Sequence, residues 1–166
     1  PGTHDIRLLK KTFKYLLRNK FKTFYIPKFD KSIDDRFPKN QWTKIKKKPD
    51  VVIFEGWCVG ARHQVSINLK NPINSLEKNY DKKMIWRKKV NNELKSSYKS
   101  VFKLIDNLIF LAVPSFKYVY KWRLLQEKKL KANFKVKKRT MTENQIKKFV
   151  MYYERITKQM LKDLKT

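Results

Sequence analysis

"PDVVIFEGWCVGARHQ", Pro49–Gln64, places four apolar residues, Val51–Phe54, directly before Glu55 and Gly56. A short, continuous run of this kind, rich in β-branched side chains, reads as a strand buried on both faces of a parallel sheet. In open sheets covered by helices, ligands gather beyond the carboxyl ends of the strands. Glu55 stands at such an end. From the residues alone it faces either a phosphate- or metal-bound ligand, or a helix N-terminus or lysine that simply satisfies it.

Outward from this stretch the periodicity alternates between helix and strand. Thr3–Asn19 carries Ile6, Leu9, Phe13, Leu16 and Leu17 at helical spacing, with Thr3 or Asp5 able to cap its start. "KTFYIPKFD" reads as a short strand ending near Pro27, and the polar "KSIDDRFPKNQWTKIKKKPD" as a loop. A long helix is expected from Lys83 to Ile105, burying Ile85, Trp86, Val90, Leu94, Val101, Phe102 and Ile105. "NLIFLAVP" is a second apolar strand stopped by Pro114, and Ser115 opens a helix whose expected buried stripe is Tyr118, Trp122 and Leu125. The last helix starts at a capping box, Thr142 and Gln145, and is expected to turn Tyr152 and Tyr153 to the core. The order predicts an α/β domain spanning residues 1–166, its sheet mostly parallel and flanked by helices.

Composition narrows the classes. Hydrophobic residues at 41% and aromatics at 14% exclude a disordered basic tail. No apolar run approaches the roughly 18–20 residues of a membrane span, and no membrane partner is expected. The opening "PGTHDIRLLKK" has neither the charged nor the apolar region of a secretory signal. Cys58 has no cysteine to pair with, so a reducing, cytoplasmic setting is the expectation. The net charge of +28 invites a nucleic-acid reading. However, lysines outnumber arginines 34 to 8 and are spread along the whole chain, whereas specific phosphate recognition favours arginine forks. No specific nucleic-acid partner is expected. The chain holds three glycines, Gly2, Gly56 and Gly60, so neither GxxxxGK[ST] nor GxGxxG occurs.

Six stretches then fall into one order: "PGTHD" at Pro1–Asp5, "IPKFDKSIDDR" at Ile26–Arg36, "DVVIFEGWCVG" at Asp50–Gly60, "VNNEL" at Val90–Leu94, "PSFKYVYKWRLLQEKKL" at Pro114–Leu130 and "MTENQIKKFVMYYERIT" at Met141–Thr157. Across essentially its whole length the chain resembles the D-glycerate 3-kinases, P-loop kinases related to uridine kinase, phosphoribulokinase and bacterial pantothenate kinase. The resemblance implies a partial P-loop kinase fold with a lid around residues 123–141, ATP and Mg²⁺ as cofactors, and a small sugar acid, D-glycerate, as substrate. In that family the Walker A loop and the stretch supplying the catalytic base lie upstream of the part matched here. A carboxy-terminal portion of a kinase, inactive alone, is therefore expected.

The resemblance also distributes roles, and each has a plainer counterpart. Asp5 matches a position that contacts a substrate hydroxyl, with His4 beside it; capping a helix would explain Asp5 equally. In the acceptor loop, Arg36 offers a fork for the glycerate carboxylate and Lys31 a second positive charge, while Asp30, Asp34 and Asp35 hold these cations or touch hydroxyls. The plainer reading there is a solvated charged loop. Glu55 resembles a Walker B-type acid holding Mg²⁺, directly or through water, and Gly56 permits close approach of the cofactor. Lys121 and Arg123 match the helix leading into the lid, where arginine stabilises the transferring phosphoryl; an exposed basic helix face is the alternative. Trp57 and Cys58 read as packing residues and His63 as a surface residue. The runner-up for the whole chain is a noncatalytic basic module binding nucleic acid or other anions.

Overall fold

A computed structural model describes residues 1–30, 33–132 and 140–164. The chain divides into two compact units, one formed by Thr3–Glu55 and the other by Pro1–Gly2 with the residues from Gly56 onward.

In the Thr3–Glu55 unit, α1 (Ile6–Leu17) starts where the Asp5 carboxylate accepts the Leu8 N–H at 2.9 Å. This satisfies one of the orphan amides that every helix start leaves. Its apolar face buries Phe13 and Leu16. Phe13 meets Phe54 edge to face at 5.2 Å, and Tyr15 stacks on Phe24 at 5.3 Å. β1 (Phe24–Ile26) pairs antiparallel with β4 (Thr43–Ile45). β2 (Phe29–Asp30), just past Pro27, the expected end of the first strand, pairs antiparallel with β3 (Asp35–Arg36); β3 and β4 both lie in the segment that reads as loop.

In the second unit, α2 (Ser75–Tyr80) and α3 (Ile85–Glu93) precede a π-helical turn, Leu94–Tyr98, which runs on into α4 (Lys99–Phe102). α5 (Phe116–Ala132) packs against α6 (Glu143–Asp163). The capping box at Thr142 and Gln145 forms as its spacing predicts. Ile146, Val150, Ile156 and Met160 of α6 build the core with Leu69, Leu94, Tyr98 and Val101. Gly60 adopts φ +80°, and a Cβ there would stand 2.8 Å from Leu108 Cδ2, so both backbone and space require glycine.

The sheet departs from expectation. Among the described residues there are two two-stranded antiparallel sheets, and no parallel pair. The apolar runs at Val51–Glu55 and Leu108–Val113 join neither. Val51 and Ile53 are 75% and 87% exposed, Ile109 and Leu111 85% and 87%. The physical reason is that an apolar run records what a segment must bury, whereas a strand exists only when a neighbour supplies the ladder. No described strand pairs with these two runs.

Three helix faces also differ. Ile85 and Trp86 are exposed at the start of α3, as is Tyr152 on α6. On α5 the Tyr118, Trp122 and Leu125 stripe is exposed, and the one buried residue is Glu127. α5 turns its charged edge to α6: the Arg123 guanidinium lies 5.5 Å from the Phe149 ring centroid, and the Tyr120 hydroxyl donates to Glu143 at 2.7 Å.

Candidate active site

The Thr3–Glu55 unit brings together two of the sequence candidates from positions 31 residues apart. Arg36 Nη1 donates to Asp5 Oδ2 at 3.1 Å, with both side chains about half exposed, at 46% and 45%. α1 fixes Asp5 by using its other oxygen, Oδ1, as the cap. The β2–β3 hairpin fixes Arg36, whose backbone N–H donates to Asp35 Oδ1 at 2.6 Å. Across the hairpin Phe29 faces Arg36 and Asp30 faces Asp35. Asp34 sits in the turn at φ +58°, a conformation that aspartate tolerates better than most residues. The Leu8 amide first, and Arg36 with it, holds the Asp5 carboxyl below its ordinary value, so it is ionised at neutral pH. The site is therefore an anion and a cation side by side and open to solvent. One can accept from a hydroxyl, the other can donate to a carboxylate.

The remaining candidates are placed as follows. His4 is exposed, and its carbonyl accepts the Ile6 N–H at 3.0 Å. Lys31 lies outside the described residues. Glu55 is exposed and makes no ion pair with a described residue. Among the described residues no group of three or more acid, histidine or cysteine side chains gathers. Gly56 opens a turn closed by the Val59 N–H. Trp57 meets Tyr153 edge to face at 4.9 Å yet stays 40% exposed, whereas Cys58 is buried, which pushes its thiol up.

On α5, Lys121 is exposed, with its ammonium 5.3 Å from the Tyr118 ring centroid. Arg123 is anchored instead: Nη2 lies 2.8 Å from Glu127 Oε2. Of the expected lid, residues 123–132 are helical and 133–139 lie outside the described residues.

Sequence reasoning passed over three residues that organise the second unit. Arg155 grips Glu77 with Nε at 2.7 Å and Nη2 at 2.6 Å, and reaches the carbonyls of Asn68 and Asn71 at 2.9 and 2.8 Å. Asn91, in "VNNEL", exchanges two hydrogen bonds with the Gln64 backbone at 2.7 and 3.0 Å, in the manner of a neighbouring strand. The cavity beside this network is small, about 20 Å³, enough for an ordered water. Glu127 carried one readable signal, its i,i+4 spacing from Arg123. Arg155 and Asn91 carried none, because their partners are remote in sequence.

No family model matches the chain. It is 34% identical over 158 residues to the uncharacterized kinase mug58 of Schizosaccharomyces pombe, covering 92% of this chain and 54% of that protein. To the chloroplastic D-glycerate 3-kinase of Arabidopsis thaliana it is 25% identical over 158 residues, 92% of this chain and 32% of the plant protein. In fold it is similar to the solved D-glycerate 3-kinase of Cryptococcus neoformans, with a TM-score of 0.75 at 24% identity, over 95% of this chain and 56% of that one. The chain thus spans about half the length of the two fungal proteins and a third of the plant one. Ordered motifs, sequence identity and fold point the same way: over more than nine-tenths of its length the chain is similar to kinases, D-glycerate 3-kinases among them.

Proposed function

We propose that this chain is the acceptor-binding and lid portion of an ATP-dependent kinase that phosphorylates D-glycerate to 3-phosphoglycerate, and that it has no turnover by itself. The observation that carries the reading is the Asp5–Arg36 pair, which sets a hydroxyl acceptor beside a carboxylate donor in reach of solvent. A hydroxy acid presents that complement. Arg36 takes the carboxylate, Asp5 accepts from a hydroxyl and orients it, and Asp35 holds the Arg36 backbone in place. Glu55 is the acid available to Mg²⁺, and Lys121 and Arg123 are the cations available to ATP phosphates. Bound ATP supplies the phosphoryl group and Mg²⁺ neutralises its charge. The 166 residues contain no glycine-rich loop to cradle those phosphates, which is why activity is assigned to a longer assembly.

The test joins the chain to the portion of the fission-yeast relative that it does not match and follows ADP release with glycerate, pantothenate and uridine. The joined protein is expected to turn over glycerate, and the 166 residues alone are not. Asp5→Asn keeps a capping oxygen, so in the joined protein it is expected to raise the KM for glycerate without unfolding α1. Arg36→Gln is expected to do the same more strongly. Turnover of another acceptor with none of glycerate rejects the substrate and keeps the kinase. Unchanged KM in both variants rejects the site.

A further inference from the structure

Glu127 is 1% exposed, as deeply buried as the core residues Ile146 and Val101, on a helix that turns Tyr118, Trp122 and Leu125 to water. A buried carboxylate is costly unless it is paired and bonded. Here Oε1 accepts the Met141 N–H at 2.6 Å, while Oε2 accepts no hydrogen bond and is compensated by charge alone, with Arg123 Nη2 at 2.8 Å. Its burial is thus spent on two things, tying the start of α6 to α5 and fixing one guanidinium. That guanidinium is also held on its face, over the Phe149 ring. Its other edge is held differently: Nη1 donates to the exposed Gln126 Oε1 at 2.9 Å. A neutral, solvent-facing amide is a weaker acceptor than an anionic oxygen, and an incoming phosphate can take its place.

We propose that Glu127 is a positioning residue that holds Arg123 with its Nη1 edge presented to a nucleotide phosphate oxygen, which replaces Gln126 as acceptor. The assignment rests on the reading of Arg123 as a phosphate ligand. Elementary electrostatics separates it from a merely structural ion pair. Removing a negative charge beside an anion-binding arginine strengthens anion binding by Coulomb attraction alone. Positioning demands the reverse, because the freed guanidinium loses its orientation.

Tripolyphosphate, as a stand-in for the nucleotide phosphates, is titrated into the full 166-residue chain by calorimetry. Salt of about 0.3 M, with a screening length of roughly 5–6 Å, suppresses diffuse attraction to the +28 charge. Arg123→Gln defines the background. Glu127→Gln, which keeps an amide oxygen for Met141, is expected to weaken the Arg123-dependent binding about tenfold, the scale of one charge-assisted hydrogen bond. Gln126→Glu lies on the surface and occupies the Nη1 edge with a carboxylate; a similar loss is expected. Binding by Glu127→Gln as tight as or tighter than that of the wild type overturns the proposal. Unchanged binding by Gln126→Glu overturns it as well, and decides the matter where Glu127→Gln does not fold. Equal binding by the wild type and Arg123→Gln has a different pattern: it removes the phosphate role of Arg123 itself, and the proposal with it.

Discussion

Replacing Arg155 by methionine is expected to destabilise the second unit by about 3 kcal/mol, the low end of what breaking a buried ion pair costs. Arg155 and Glu77 are each 12% exposed, and the guanidinium meets both carboxylate oxygens, at 2.7 and 2.6 Å. Methionine fills much of the volume but leaves Glu77 with Arg87, at a longer 3.4 Å, and the Ile73 amide. The Asn68 and Asn71 carbonyls lose their donor but have some access to water, so they add little. That residual support keeps the cost at the low end. For a chain of this length the loss corresponds to a fall in Tm of about 6–12 °C, read by far-ultraviolet circular dichroism. Glu77→Leu together with Arg155→Met is expected to cost less than the sum of the two single changes, because no buried charge is left alone. The dependence on pH has a fixed sign. Burial pushes the Glu77 carboxyl up, but the Arg155 hydrogen bonds, the Ile73 amide and the charges of Arg155 and Arg87 outweigh it and leave the group below its ordinary value of 4.5. A depressed carboxyl contributes stability that is complete above the ordinary value and is lost as pH falls through the lower, folded-state value. The wild type therefore loses this contribution below about pH 4.5, and the Arg155→Met chain has much less to lose there. A Tm fall under about 2 °C, or the same acid sensitivity in both chains, refutes the account.

Two further outcomes follow from the fold. Gly60→Ala is expected to cost about 1–3 kcal/mol in chemical denaturation, since φ +80° disfavours any side chain and the new methyl group meets Leu108 at 2.8 Å; a neutral substitution contradicts this placement of Leu108. Ile53→Lys and Leu111→Lys, each at a residue 87% exposed, are expected to leave Tm unchanged and to lower light scattering on concentration. A substantial loss of Tm in either variant means that the segment is packed after all.

The local features were legible in the residues. The Asp5 cap and the Thr142–Gln145 box depend on neighbours within one turn and form where the spacing places them; of the α1 stripe, Phe13 and Leu16 are buried and Leu17 is exposed. The likeness to kinases was legible as well, because it rests on the order of short motifs and not on their packing.

Contacts between distant residues were decided by tertiary structure. Arg36 meets Asp5 across 31 positions and Arg155 meets Glu77 across 78, and no periodicity records such a meeting. The exposed aromatic stripe of α5 and its buried Glu127 reverse what hydrophobicity alone dictates. Apolar area is a demand for cover, and a charge can be buried where its partners are supplied. Val51–Phe54 states that demand most plainly. The sequence determined that these side chains need burial, and only the arrangement of other strands decides whether they receive it.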